Sequence, residues 1–235
     1  MNKTFDKYVK SLTLYECKNK YRLGNFKDGG YVLMDIGGYD LMLSGGVGGD
    51  IEFEKAFTEK YKVKCYAFDG TETSGFELTK DLPLVTYINK NIGPYNTNNT
   101  SNFDFGFENG NNIFMKLDIE GAEFDLLNSF TDKQMNTIRQ LVIEFHWPDT
   151  KQKWDALLKI TKTHYLIHYH ANNNNHIIYN INHNHIPAVF ECTYIRKDLL
   201  DNPGLNKEPL PTKLDARNTY VKMDFVIDCP PWVHK

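Results

Sequence analysis

The chain is short of cysteine, lacks any long apolar run and has no surplus of charge. Its four cysteines, Cys17, Cys65, Cys192 and Cys229, are scattered. They have neither Cys-x-x-Cys spacing nor the density of a disulfide scaffold, which fits reduced thiols in a cytosol. The N-terminus has no apolar signal core, and no stretch reaches the ~20 apolar residues of a membrane span. Lys and Arg total 27 against 30 Asp and Glu, with no basic block to grip a polyanion. These absences point away from nucleic acid and from a membrane span, and towards a cytoplasmic location. No internal repeat is visible. What is present is core material: 41% of the 235 residues are hydrophobic and 14% aromatic, enough for one α/β domain.

The organising stretch runs Leu41-Met42-Leu43-Ser44-Gly45-Gly46-Val47-Gly48-Gly49-Asp50. It starts apolar, crosses five small residues and ends on an acid. Ile51, Phe53, Ala56 and Phe57 then share one helical face. The pattern predicts a buried strand, a tight glycine turn and a helix with Asp50 at its N-cap. Glycine lets backbone approach a ligand closely and adopt positive φ, so a nucleotide-like cofactor suits the turn. The plainer alternative is an ordinary glycine-rich loop.

Ahead of this stretch, Phe5, Tyr8, Val9 and Leu12 suggest a short leading helix. Asp28-Gly29-Gly30 between apolar residues signals a hairpin. Beyond it, strands are predicted at Val63–Phe68, Val85–Ile88, Ile113–Asp118 and Leu141–Trp147, the last stopped by Pro148. Helices are predicted after Glu123, with Phe124, Leu127 and Phe130 inward, and around Trp154–Ile160. Residues 94 to 112, rich in Asn, Thr and Gly, read as a long surface loop. Tyr165–His170 and Ala188–Ile195 read as a terminal antiparallel pair. The tract between them, with Asn172 to Asn175, His176 and Asn182 to His185, is low in complexity. His176, His183 and His185 read as loop residues.

Alternating strands and helices predict a mostly parallel sheet covered on both faces, whose ligands lie beyond the carboxyl ends of the strands. That rule gathers Ser44, Asp69, Asp118, Glu144 and His146 at one edge. Asp69 lies about twenty residues past the glycine turn, where a carboxylate accepts ribose hydroxyls; a turn-forming Asp before Gly70 is the alternative. Glu120 and Glu123 read as first-turn acids complementing a helix dipole. Trp147, Tyr169 and Trp232 read as core aromatics, with stacking on a sugar or base as the alternative.

Several segments together resemble the FkbM-like branch of the S-adenosylmethionine-dependent methyltransferases. They are Arg22-Leu23-Gly24 with Asp28-Gly29-Gly30-Tyr31-Val32, the glycine stretch, Phe68-Asp69-Gly70, Met115-Lys116-Leu117-Asp118-Ile119-Glu120-Gly121-Ala122-Glu123, Val142-Ile143-Glu144-Phe145-His146, and Leu214-Asp215-Ala216-Arg217-Asn218. The resemblance implies a Rossmann-like class I methyltransferase fold with a seven-stranded sheet and a reversed terminal strand. It divides the chain into a helix and hairpin cap over residues 1–40 and a methyltransferase domain over 41–235, compact as a whole. It also implies S-adenosylmethionine as donor and a hydroxyl acceptor on a sugar, nucleotide-linked or free, in surface polysaccharide or glycan synthesis. Donor-binding residues would be Ser44, Gly45, Gly46, Gly48, Asp50, Asp69, Gly70, Asn91, Asp118, Arg22, Asp28 and Tyr31, with the loop after Asn91 near the adenine. Ser44 stands where such enzymes often carry an acid, so the donor's amino group needs another partner: Asp50, Asp118 or the Arg22 and Asp28 loop.

Methyl transfer from a sulfonium needs the acceptor oxygen in line at about 3 Å in a dry site. A hydroxyl must lose its proton to a base or be activated by a metal. His146, His168 and His170 are the imidazole candidates, with Glu144 beside them. The alternation His168-Tyr169-His170 puts both histidines on one strand face, so Asp118, Glu144 and His170 form a candidate Mg²⁺ or Mn²⁺ site. Two other readings stand: an NAD-type oxidoreductase, disfavoured because the turn is not Gly-x-Gly-x-x-Gly, and a nucleotide-binding module without turnover. An oligomer is left open.

Overall fold

The computed structural model describes residues 3–181 and 184–235; Met1, Asn2, Asn182 and His183, and the side chains of residues 3–6 (Phe5 among them), lie outside the described residues. Helix α1 (Lys3–Lys10) leads into a hairpin, β1 (Lys20–Leu23) and β2 (Tyr31–Met34). Then come β3 (Leu41–Gly45), α2 (Glu52–Tyr61), β4 (Lys64–Phe68), α3 (Gly75–Thr79) and β5 (Val85–Ile88). Two short strands, β6 (Asn91–Ile92) and β7 (Thr100–Ser101), precede α4 (Asp104–Asn109) and β8 (Ile113–Leu117). After them come α5 (Glu123–Ser129), α6 (Asp132–Thr137), β9 (Ile138–His146), α7 (Lys151–Thr163) and β10 (His164–Ala171). Then come β11 (Ile178–Ile181) and β12 (Asn184–Pro187), paired as a separate two-stranded sheet, and β13 (Val189–Arg196), which joins the main sheet.

The main sheet has seven strands in the order β10-β13-β9-β8-β3-β4-β5. β5, β4, β3, β8 and β9 are parallel, and β13 is antiparallel to both of its neighbours. This is the Rossmann-like class I methyltransferase arrangement, with the last strand reversed and inserted beside β9. Central strands buried on both faces read as continuous apolar runs, and β3 and β8 are buried along their whole length.

Side chains alternate between two cores. Leu41, Leu43, Met115, Leu117, Leu141, Ile143 and Phe145 face α5 and α7 and pack with Phe124, Leu127, Trp154 and Leu157. Met42, Phe114 and Val142 face the other way and meet Phe53 and Phe57 of α2 and Tyr31 and Leu33 of the hairpin. Ser44 and Lys116 are register partners across β3 and β8, so they share this second face.

Three sequence expectations change. Helix α2 begins one residue later than Asp50 would cap: Ile51 holds the N-cap position, and the Asp50 carboxylate accepts from the Glu52 amide at 2.9 Å. Residues 94–112 are not simply a surface loop, because Phe103 is fully buried against Phe68, and α4 brings Phe105 onto Tyr66. The Asn and His tract folds back as the β11–β12 hairpin. Asn173 within it is fully buried, donating to the carbonyls of Thr219 and Lys222. Among the described residues, no helix is long and apolar enough to cross a membrane.

Candidate active site

The glycine turn after β3 is forced by its neighbour. Gly46 has φ +75°, and a Cβ there would lie 1.6 Å from the Asp118 carbonyl oxygen, so no side chain fits where the tips of β3 and β8 converge. Gly48 and Gly49 differ: a Cβ on either would meet nothing within 4 Å. It would project into a cavity of about 320 Å³ lined by Asp28, Gly46–Asp50, Phe53, Glu54, Asp69, Thr71, Lys116, Asp118 and Glu120. A second cavity of about 220 Å³ shares Gly46, Asp69, Thr71, Asp118 and Glu120 and adds Phe68, Gly70, Asn91 and Ile92. A third, of about 430 Å³, shares Asp28 and Glu120 and adds Glu144, His146, Trp147, Asn172 and His176. The three form one cleft along the carboxyl ends of β3, β4, β8 and β9.

Asp69 anchors the turn. One carboxylate oxygen accepts from the Gly48 amide at 2.8 Å. The other accepts from the Thr71 amide and hydroxyl at 2.8 and 2.7 Å and the Glu72 amide at 3.1 Å. Burial alone would raise its pKa; these donors outweigh burial and lower it. Asp69 is therefore an anion, and it lines both of the first two cavities.

Ser44 meets an acid that reaches in from the helix. Ser44 and Glu54 are both buried, and the Ser44 hydroxyl donates to Glu54 Oε1 at 2.5 Å. The Lys116 ammonium stands 3.9 Å from the same oxygen and donates to the Gly46 carbonyl at 2.6 Å. Glu54 Oε2 is buried without a hydrogen-bond partner. Sequence reading missed Glu54, although its position three residues after Ile51 and three before Phe57 put an acid on the inward face of α2.

The cleft brings together most of the proposed donor residues: Gly46, Gly48, Asp50, Asp69, Gly70, Asn91, Asp118 and Asp28 line it. Tyr31 stands behind Asp118, its hydroxyl donating to Asp118 Oδ2 at 3.1 Å; burial and the surrounding carboxylates push its pKa well up, so it remains a donor. Ser44 is behind the cavity wall. Gly45 is buried against Ile92, Ile119 and Leu117. Arg22 turns away, its guanidinium donating to the Asn25 and Lys27 carbonyls, where it shapes the loop that carries Asp28.

The histidines separate into different roles. His146 is buried, with Nδ1 3.0 Å from Glu123 Oε1 and Nε2 3.5 Å from both Glu120 Oε2 and Glu144 Oε2. Burial opposes its charge, but Glu123, Asp118 and Glu120 raise its pKa. Glu123 is thus more than a first-turn acid: it is fully buried and also accepts from the Ile119 and Gly121 amides. Glu144 is pushed well above its ordinary value by burial and by the nearby Asp118 and Glu191 charges, and it accepts from Asn172 at 2.6 Å.

His170 lines none of these three cavities. Burial works against its charge, yet hydrogen bonding to Asp224 (3.2 Å) and the Glu191 carboxylate (3.6 Å from Nδ1) push its pKa up to about 10. A caged imidazolium has no lone pair for a substrate proton. Among the described residues, the acid and imidazole atoms that come within 4.8 Å of one another belong to Asp118, Glu120 and His146 rather than to Asp118, Glu144 and His170. His168 pairs with Asp215 at 2.7 Å, and the contact outweighs burial to hold Asp215 well below the usual carboxylate range. Asn218 donates to Glu191 and Asp28, so the tail segment pins the back of the cleft. Tyr169 and Trp232 are core aromatics, their rings tilted at 45° with centroids 5.0 Å apart.

No protein-family model matches the chain, and no curated protein does. Among solved structures, the chain is similar to a proposed S-adenosylmethionine-dependent methyltransferase of Listeria monocytogenes, at 10% identity and TM-score 0.42, over 67% of this chain and 91% of that one. It is also similar to the precorrin-6y C5,15-methyltransferase of Geobacter metallireducens, at 11% identity and TM-score 0.40, over 69% and 84%. A third is a fibrillarin/Nop5p complex, at 7% identity and TM-score 0.40, over 67% and 73%. Such likeness concerns the layout of sheet and helices only; the fold class rests on the strand order.

Proposed function

We infer that the protein is an S-adenosylmethionine-dependent O-methyltransferase acting on a hydroxyl of a sugar, nucleotide-linked or free. The observation that carries this reading is Glu54: a buried carboxylate with one oxygen tied to Ser44 and the other unpartnered, lining a cavity floored by side-chain-free Gly48 and Gly49. An unpaired buried acceptor beside an open glycine cradle suits an ammonium group on a ligand that lies flat on the turn. In this reading Glu54 takes the donor's amino group, Asp69 the ribose hydroxyls, and the Gly70 and Asn91 side the adenine. When bound, the donor supplies a sulfonium methyl: its carbon–sulfur bond breaks as the bond to the acceptor oxygen forms.

The acceptor belongs in the third cavity, whose Asn172, Asn174, Asn175 and His176 offer amide and imidazole partners to a polyhydroxyl compound, with Trp147 as an apolar wall. Glu144 receives the hydroxyl proton. Burial and the neighbouring Asp118 and Glu191 charges raise its pKa, which makes its carboxylate a stronger base. Calorimetry tests the reading: S-adenosylhomocysteine should bind and NAD should not. Glu54→Gln should weaken that binding by about 10- to 150-fold, the worth of a charged hydrogen bond of roughly 1.5–3 kcal/mol. Binding of NAD with none of S-adenosylhomocysteine would sink it. Labelled-methyl transfer onto free and nucleotide-linked sugars then tests the acceptor class.

A further inference from the structure

We propose that Asp118, Glu120 and His146 form a divalent cation site where the donor-side and acceptor-side cavities meet. One oxygen or nitrogen from each lies within 4.8 Å of the others. Drawing these atoms onto a shared ion at 2.0–2.4 Å needs only a small contraction.

The independent pointer to an ion is the imidazole. His146 is only 4% exposed. Its Nδ1 faces Glu123 Oε1 at 3.0 Å, and Glu123 is locked by the Ile119 and Gly121 amides at 3.0 and 3.2 Å. A carboxylate can only accept, so the proton of a neutral His146 sits on Nδ1 and the lone pair on Nε2. That lone pair points at Glu120 Oε2 and Glu144 Oε2, both 3.5 Å away. In that neutral form Nε2 faces only carboxyl groups, so a cation, either a proton or a metal ion, is needed between them. A carboxylate behind an imidazole, with the far nitrogen turned to a group of oxygens, is how proteins orient a histidine towards a metal. Tyr31, donating to Asp118 Oδ2, supports the second ligand in the same way.

One imidazole and two carboxylates favour a transition ion such as Mn²⁺ over Ca²⁺. Glu120 and Asp118 border the donor-side cavity, and Glu120 and His146 border the acceptor-side one. An ion held there would be placed to bind an acceptor oxygen beside Glu144. The site stands on its own geometry and does not depend on the methyl-transfer reading.

The test is a titration of the metal-stripped chain with Mn²⁺ alone, followed by calorimetry and by Trp147 fluorescence, since that ring lies 5.4 Å from the His146 ring. One equivalent should bind with a dissociation constant below 100 μM, a working threshold of about −5.5 kcal/mol. His146→Gln and Asp118→Asn should each weaken it at least tenfold, and Glu123→Gln by about 10- to 100-fold through the orienting bond. Asp149→Asn, outside the cluster, should leave it unchanged. Wild-type binding weaker than about 1 mM, or binding that survives both His146→Gln and Asp118→Asn, overturns the proposal. The wild-type titration decides even if a variant fails to fold.

Discussion

Lys116→Met is the sharpest probe of how the glycine turn is built. Lys116 and Glu54 are 6% and 1% exposed, and the ammonium holds both the Glu54 carboxylate at 3.9 Å and the Gly46 carbonyl at 2.6 Å. Removing the cation leaves Glu54 with the Ser44 hydroxyl alone. Breaking one side of a buried pair costs about 3–5 kcal/mol. For a chain of this size each kcal/mol shifts the melting temperature by roughly 2–4 °C, so a fall of roughly 6–20 °C is expected. The second variant, Lys116→Met with Glu54→Gln, removes both charges and keeps an acceptor for Ser44. It should recover about 2 kcal/mol of the loss, because the stranded charge is gone. Urea unfolding of wild type, both single variants and the double variant reads this as a coupling energy. Strict additivity across the four proteins would refute the pairing.

Gly46→Ala should cost about 3 kcal/mol or more in the same unfolding assay, since the Asp118 carbonyl occupies the space of its Cβ and φ is +75°; a variant within 1 kcal/mol of wild type would contradict the close approach. Asp69→Ala should weaken S-adenosylhomocysteine binding by about 1–3 kcal/mol, and unchanged calorimetric affinity would remove Asp69 from the ribose role. His164 gives a pH effect. Burial holds its pKa down at about 4, below the ordinary 6.5, with Nε2–H donating to the Ile138 carbonyl at 2.9 Å. Between those values the unfolded chain binds the extra proton, so stability falls as pH drops from 6.5 towards 4, by about 3 kcal/mol in all. His164→Gln should flatten that limb; parallel curves for the two proteins would refute the assignment.

Much of the sheet was legible because its central strands are apolar throughout and its turns are marked by glycine. Leu41–Leu43, Ile113–Leu117 and Leu141–Phe145 can only be buried strands, and the carboxyl-end rule placed Asp69, Asp118, Glu144 and His146 at one edge. Pairings across distant segments were not legible. Nothing local says that Glu54 reaches back to Ser44, that Asp224 and Glu191 cage His170, or that Glu123 leaves a helix's first turn to hold His146. Periodicity assigns Glu123 to a helix start; only the fold shows that its side chain turns inward. Asn172 and Asn173 were obscured by composition, since a run of identical amides hides which of them are buried.

The placement of β13 carries a consequence for synthesis. It pairs with β9 on one side and β10 on the other, and both precede it in the chain. Until residue 196 has emerged from the ribosome, those two strands each present an unpaired rim to the surroundings. Such rims invite pairing with other chains. The half of the sheet bearing His146 and His170 is therefore assembled last, and a chain stalled before Val189 would expose its stickiest surface beside an unfinished cleft.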